Sequence, residues 1–337
     1  MALVQLYLGY VSFMQYSGTL ELLAESLSIM VTYIQVVGRC YFYVFQQESC
    51  RKIVQNIREQ RMHFGAKSNP AIEQLFHGAD EQLVHLYRVL YWMYAAAMIS
   101  FLSMPAIYPD PRKYNLPLAF TFPFLPVDNR FWWYFTYLYH FAMIWKCIHL
   151  LVVIDGVMVM AMMSVRKRIQ ALKVLLQQLD EKIQASPWKR TDHLELDLKR
   201  IIELHVSIKE FMRDFSDSYR WHFFMIAGTV CFEICMALNV IATTVRNPVY
   251  PYLLATTTQL LVMCFFGNVL LIENDTLSDC VYNIHWYRMT ISQQKKIMFM
   301  VANAQPDMSA NAIFLNVQMA TFITIIRAAY SYFTILQ

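Results

Sequence analysis

The sequence predicts an all-α membrane protein, and two observations carry that prediction. Of its 337 residues, 57% are hydrophobic and only 15% are charged, which is too apolar for a soluble protein of this length. Apolar runs of about twenty residues, the length that crosses a bilayer as a helix, recur along the whole chain. These features exclude intrinsic disorder and a secreted disulfide scaffold. The net charge of +4 does not indicate nucleic acid, so membrane lipids and other helices are the expected partners.

Six runs are long enough to be membrane-spanning helices. They cover residues 22–45, 89–108, 131–165, 221–244, 249–272 and 310–336. A seventh run, 1–18, carries no charge and lacks the basic residues that open a signal peptide. We interpret it as the last part of a truncated first helix, which predicts a bundle of seven helices.

The distribution of Lys and Arg predicts how the bundle is oriented, because basic loops stay in the cytoplasm. Segments 46–84, 164–219 and 274–309 together hold nineteen Lys and Arg residues, whereas the loops on the other side hold four. The N-terminus is therefore expected inside and the C-terminus outside, which is inverted relative to a G-protein-coupled receptor. No cysteine pair falls in the oxidising exterior, so no structural disulfide is expected.

Two of the three basic segments, 164–219 and 274–309, are predicted to be helical. In 164–219, apolar residues repeat at helical spacing on both sides of Ser186-Pro187, and Asp192 with Glu195 resembles a capping box. Such a hairpin is either solvated or lies on the lipid surface, or it forms a cytoplasmic bundle that packs against neighbouring subunits. In 274–309, a helix over 291–305 is predicted to end at Pro306. The chain is thus expected to have five parts: membrane helices with a ligand region (1–163), a cytoplasmic hairpin (164–219), two more membrane helices (220–273), a cytoplasmic anchor helix (274–309) and the last membrane helix (310–337).

Charged residues within the spans are costly in hydrocarbon, by several kcal/mol each, and are tolerated where they face protein or water. They are Glu25, Arg39, Lys146, Asp155, Glu233 and Arg327. Either they line a polar cavity or ion pathway, or they form pairs that hold helices together. Both readings remain open from the sequence.

No motif for metal, phosphate or nucleophilic chemistry occurs in the sequence. His193 and Asp197 form a His-x-x-x-Asp pattern, but they lie on a charge-rich helix without an apolar pocket, which is typical of a solvated face. Neither an enzyme activity nor a cofactor is expected.

The C-terminal third carries a set of distinctive residues. They are Phe265-Phe266-Gly267-Asn268, Ser278, Tyr282, Trp286, Lys295-Lys296, Gln305-Pro306 and the ending Ala329-Tyr330-Ser331-Tyr332-Phe333-Thr334-Ile335-Leu336. In these residues, and most specifically in the Ser-Tyr-Phe-x-x-Leu ending, the chain resembles the insect odorant receptor family. The helix order and the inverted topology agree with that resemblance.

The resemblance implies a subunit of an odour-gated, non-selective cation channel in the plasma membrane of olfactory neuron dendrites. Such subunits bind small volatile odorants and assemble with the family's co-receptor into a heterotetramer around one pore lined by the last helix. Ile335 would form the hydrophobic gate, with Ser331 and Ala328 one and two turns below it and Gln337 beside the outer mouth. Segment 164–219 lacks the large insertion of the co-receptor, so the chain resembles a ligand-tuning subunit.

The family's ligand pocket lies among the external halves of the second, third, fourth and sixth helices. Depth and helical face then select the expected ligand-binding residues: Met30, Tyr33, Ile34, Phe101, Tyr137, Phe141, Thr257 and Leu260. Two other classes remain as alternatives, a G-protein-coupled-type chemoreceptor and a secondary transporter. Asn247-Pro248-Val249-Tyr250 only superficially resembles the receptor motif, and no matched pair of broken spans favours a transporter.

Overall fold

The computed structural model describes residues 20–66, 70–107, 129–185, 192–243, 249–304 and 316–336, together with positions 7, 10, 11, 116–118 and 122. Almost all of the predicted partial first helix, 1–18, thus lies outside the described residues. Eight α-helices have their bounds within them: α1 Leu20–Phe45, α2 Gln47–Ala66, α3 Pro70–Ile107, α4 Arg130–Ala185, α5 Asp192–Thr243, α6 Val249–Tyr282, α7 Ile291–Ala304 and α8 Met319–Leu336.

Six of these helices are long and apolar enough to cross a membrane, namely α1, α3, α4, α5, α6 and α8. They correspond one for one to the six runs predicted from the sequence. The last of them begins at Met319, whereas the apolar run begins at residue 310, and residues 305–315 lie outside the described part of the chain.

Helices α4 and α5 extend well past the thickness of a bilayer. The 56 residues of α4 span about 84 Å at the rise of an α-helix, against about 30 Å of hydrocarbon. As predicted, α4 ends directly before Ser186-Pro187 and α5 begins at Asp192. The end of the bundle formed by segments 164–219 and 274–309 is called the basic end below.

The apolar stripes of the α4–α5 hairpin are buried against each other. Leu172 and Leu179 of α4 lie in one core cluster with Leu198 and Ile208 of α5, and each is almost wholly inaccessible to solvent. This packing within the chain argues against a hairpin whose apolar face lies on a lipid surface. The same cluster continues into α6, α7 and α8.

Polar contacts fasten α6 and α7 to the hairpin at the basic end. Glu273 of α6 accepts hydrogen bonds from Lys173 at 2.6 Å and from Gln170 at 2.7 Å. The carboxylate of Glu195, predicted to help cap α5, accepts hydrogen bonds from Gln293 and Lys296 of α7. The basic end is therefore a packed helical unit joined by charge pairs.

Candidate functional site

A cavity lies among the helices in the halves that point away from the basic end. Its volume, counted as the space open to the centre of a water molecule, is about 150 Å³. Five helices contribute walls, one of which, α5, the sequence had not indicated. The lining residues are Ser28, Ile29, Thr32, Tyr33 and Gln35 of α1; Tyr94, Ala97, Met98 and Phe101 of α3; Met143, Ile144, Cys147, Ile148 and Leu151 of α4; Glu233, Ala237 and Val240 of α5; Val249, Tyr252, Ala255, Thr256 and Gln259 of α6; and Leu118.

A buried charge network lies at the inner end of the cavity. Arg39 Nη1 donates a hydrogen bond to Asp155 Oδ1 at 2.8 Å, and the two side chains are 0% and 5% exposed. Tyr94 and Gln259, which both line the cavity, donate to Asp155 Oδ2 at 3.2 Å and 3.0 Å. Two of the charges predicted within the spans are thus partners, and their network joins α1, α3, α4 and α6.

Most polar side chains on the cavity wall have protein partners. The hydroxyl groups of Thr32 and Tyr252 are 2.8 Å apart, and Thr32 also donates to the Ser28 carbonyl. Gln35 donates to the Thr229 hydroxyl at 2.9 Å. Because these polar groups bond to each other, the wall is largely apolar, as in protein pockets that bind small organic molecules.

Glu233 is different from these wall residues. Its side chain is fully buried, and neither carboxylate oxygen has a hydrogen-bond partner among the described residues, although Thr32 lies beside it. Glu233 also belongs to the residues that line the cavity, and Arg39 and Thr32 are the described groups that interact with its carboxylate.

The structure places two of the other charges predicted within the spans outside this network. Lys146 and Arg327 lie at exposed positions on α4 and α8. The side chain of Glu25 falls outside the described residues. Only three of the six, Arg39, Asp155 and Glu233, are therefore known to be buried in the interior of the bundle.

Of the eight ligand-binding residues expected from the sequence, the structure brings Tyr33 and Phe101 to the cavity wall. Phe101 contacts the Tyr252 ring edge-on, with centroids 5.9 Å apart. The remaining six lie away from the lining set. Ile34 and Phe141 are exposed, Leu260 is buried in the main core, Tyr137 donates to the Leu102 carbonyl, and Met30 and Thr257 are half-buried.

A signal for the missed wall residues is present in the sequence as spacing from the buried charges. Gln35, Thr32 and Ser28 precede Arg39 at helical intervals of four, seven and eleven residues. Leu151, Ile148 and Ile144 stand in the same relation to Asp155, and Ala237 and Val240 follow Glu233 by four and seven. Each charge thus marks the helix face that turns inward.

Helix α8 packs with one face only. Thr321, Ile325 and Ala329 are buried, whereas the opposite side of the helix is open in a single subunit. Of the predicted pore residues, Ala328 is half-buried, Ser331 is exposed and Ile335 is 77% exposed. Gln337 lies outside the described residues.

The family assignment rests on a family model, curated relatives and solved structures. A family model described as 7tm Odorant receptor matches residues 19–330. Odorant receptor 56a of Drosophila melanogaster is 25% identical over 146 residues, which cover 41% of this chain and 34% of that protein. The Odorant receptor coreceptor of Aedes aegypti is 29% identical over 101 residues, covering 30% and 20%. The chain thus aligns with about a third or less of the length of these relatives.

Two solved structures extend the likeness to the whole fold. The insect olfactory receptor OR5 from Machilis hrabei superposes with a TM-score of 0.80 at 11% identity, covering 99% of this chain and 86% of that chain. The same receptor in complex with eugenol gives a TM-score of 0.75 at 12% identity, covering 99% and 87%. The predicted all-α, multi-pass membrane fold is confirmed. With the family model spanning most of its length, the chain belongs to the 7tm odorant receptor family, a family of receptors and not of enzymes.

Proposed function

We propose that the chain is an odorant-binding subunit of a ligand-gated, non-selective cation channel that works together with the family's co-receptor in the plasma membrane. The observation that carries this proposal is the cavity, which is largely apolar and lies among five helices, in their halves away from the basic end. A binding site needs such a concave, mostly apolar space with a few polar groups.

The volume of the cavity fits a small volatile molecule. An apolar protein cavity of about 150 Å³ accepts a benzene-sized ligand. The related receptor from Machilis hrabei has been solved in complex with eugenol, a molecule with a single aromatic ring. We therefore take the lining residues as the ligand contacts, with Tyr33 and Phe101 common to the sequence prediction and to the cavity.

The open face of α8 supports a pore-lining role. Ala328, Ser331 and Ile335 follow one another at intervals of three and four residues, which places them on one side of the helix. In a heterotetramer with the co-receptor, four such helices would surround the pore, with Ile335 as the ring that closes it by dewetting and Gln337 at the outer mouth. The C-terminus is then external and the basic end is a cytoplasmic anchor region.

Helix α6 links the two sites. Its first half lines the cavity through Tyr252, Ala255 and Gln259, and its second half packs against α8 and the segment leading into it. Ligand binding would favour an arrangement of α6 in which α8 moves outward and the Ile335 ring widens.

The cavity assignment is tested by filling the cavity with a larger side chain. Ala255 lines it and is 3% exposed, whereas the preceding residue, Leu254, is 61% exposed on the outer side of α6. We expect Ala255→Phe to abolish odorant-evoked currents in cells that express the chain with the co-receptor, and Leu254→Phe to leave them within about twofold of wild type. Equal responses from the two variants at equal surface expression would contradict the cavity assignment.

The same recording separates the channel from the two alternative classes. A G-protein-coupled chemoreceptor would lose its response when G proteins are blocked, and a transporter would carry no current that depends on the co-receptor. We expect the current to require both subunits and to persist under G-protein blockade.

A further inference from the structure

We propose that Glu233 anchors the ligand and makes the cavity selective for small apolar molecules that carry a primary amine. This inference rests on the proposed function, because it takes the cavity as the ligand site. It adds the chemical class of ligand, which neither the family nor the cavity volume specifies.

Glu233 lies in the interior of the bundle without a hydrogen bond, which is energetically unfavourable. A buried polar group without a hydrogen bond destabilises the fold, and a buried charged group does so more strongly. Glu233 is 0% exposed, and both of its carboxylate oxygens are unbonded. A leucine or methionine would fill the same wall without this cost, so the carboxyl group is best explained by a partner that enters the cavity.

Most neighbouring donors in the protein are engaged elsewhere, and the two unbonded donors of Arg39, Nε and Nη2, make no hydrogen bond to Glu233. The Thr32 hydroxyl, which lies beside Glu233, donates to the Ser28 carbonyl and is 2.8 Å from the Tyr252 hydroxyl. Gln259 and Tyr94 donate to Asp155, and so does the Nη1 group of Arg39, which makes no hydrogen bond to Glu233. Within the described residues, the wall therefore contains a carboxyl group whose two oxygens accept no hydrogen bond.

A primary ammonium group complements this carboxylate, because it supplies several hydrogen-bond donors and the opposite charge. A carboxylate accepts hydrogen bonds through two oxygens, and a primary ammonium supplies three N–H donors and the opposite charge, whereas a hydroxyl supplies one donor and no charge. The surrounding wall residues Ala237, Val240 and Met143 would bury the apolar part of the molecule. If the carboxyl group is protonated in the empty cavity, its proton passes to the amine nitrogen and the same ion pair results.

The test uses three ligands that share one ring and differ in their polar end: benzylamine, benzyl alcohol and toluene. Binding to the purified full chain in detergent is measured through the ligand-induced rise in melting temperature over a concentration series. We expect wild-type protein to bind benzylamine more tightly than benzyl alcohol, and toluene most weakly. We expect Glu233→Gln to weaken benzylamine binding by about tenfold or more, the loss expected for a buried charge-assisted contact, and to leave toluene binding within about twofold.

Two controls keep the outcomes distinct. Glu203→Gln makes the same change on the same helix at an exposed position and should leave all three affinities unchanged. The ligand series on wild-type protein decides the question even if Glu233→Gln does not fold. Toluene binding as tightly as benzylamine, or unchanged benzylamine binding by Glu233→Gln, would overturn the inference and assign Glu233 to water or to packing.

Failure of the inference and failure of the proposed function give different results. Currents evoked by other odorants, but no preference for benzylamine in binding, would retain the channel and reject the amine. Selective benzylamine binding without any current from surface-expressed complexes would retain the amine site and reject the channel.

Discussion

The pairing of Arg39 with Asp155 shows how this bundle tolerates charges among its spans. Two isolated charges at that depth would each cost several kcal/mol, and the 2.8 Å contact offsets much of that cost only while both partners are present. Tyr94 and Gln259 bind the remaining oxygen of Asp155, so the network also fixes two residues of the cavity wall. The charge pair thus sets the position of wall residues from α3 and α6.

Replacement of Asp155 with Asn should therefore strongly destabilise the protein. Arg39 would remain buried with an unpaired charge, and removing one partner of a buried ion pair costs about 3–5 kcal/mol. The midpoint of thermal unfolding in detergent, followed by fluorescence-detected size-exclusion chromatography, should fall accordingly. The matched control is Asp217→Asn, which breaks the exposed Asp217–Arg220 pair at a cost below about 1 kcal/mol. Similar losses from the two variants would contradict the structural role of the buried pair.

For individual residues, the sequence predicted the buried charged side chains better than it predicted the groups that they contact. The cost of a charge in hydrocarbon singles out Arg39, Asp155 and Glu233 without any structure. Which of them pair depends on how the three helices that carry them are rotated about their axes, and this rotation is set by packing that no single helix encodes. The rotation of α6 was likewise not predictable from the sequence. The sequence analysis expected Thr257 and Leu260 at the cavity, whereas Thr256 and Gln259 line it.

Helix bounds were more accessible to sequence reasoning than helix faces. Ser186-Pro187 marks the end of α4 because proline removes a backbone donor and disfavours helix in the residue before it. The faces of the long helices are harder to assign, since α4 and α6 are apolar on several sides and contact several neighbours each. In such helices the buried charges are the clearest marks of the inner face.

The contact between α6 and the start of α8 depends on a glycine. A Cβ atom on Gly267 would collide with the backbone carbonyl of Val317, and backbone cannot swing aside as a side chain can. Gly267 therefore permits a close approach of the segment that leads into the proposed pore helix.

We expect Gly267→Ala to displace the start of α8 and to reduce odorant-evoked current by tenfold or more, on the order expected when a packed helix contact is lost, while ligand binding to the cavity is retained. The control is Gly228→Ala on α5, where an added methyl group meets no atom within 4 Å. The measurements are whole-cell current at matched surface expression and ligand-induced thermal stabilisation. Full current from Gly267→Ala would show that the contact does not couple the cavity to the pore.

At the scale of the whole molecule, the open face of α8 is the feature that a single chain leaves unexplained. A helix buried along one face through Thr321, Ile325 and Ala329 presents the other face either to lipid or to an aqueous pore shared with neighbouring subunits. Lipid would favour apolar residues throughout the open face, but that face contains the hydroxyl groups of Thr324 and Ser331. Their presence supports the proposed pore, in which Ile335 would form an apolar ring beyond them.

Truncation of that ring tests the assembly as a whole. If Ile335 closes the pore by dewetting, Ile335→Ala should widen and wet the constriction, so that cells expressing the variant with the co-receptor carry a raised basal current without odorant. Leu336→Ala provides the matched control, since Leu336 is the next residue along α8 and does not share the face of Ala328, Ser331 and Ile335. We expect it to leave the basal current at the wild-type level. If Ile335 instead faces lipid, Ile335→Ala should change neither the basal nor the evoked current, because only an apolar side chain in contact with lipid is shortened. Raised basal current from Ile335→Ala alone would therefore distinguish a gate from a lipid contact.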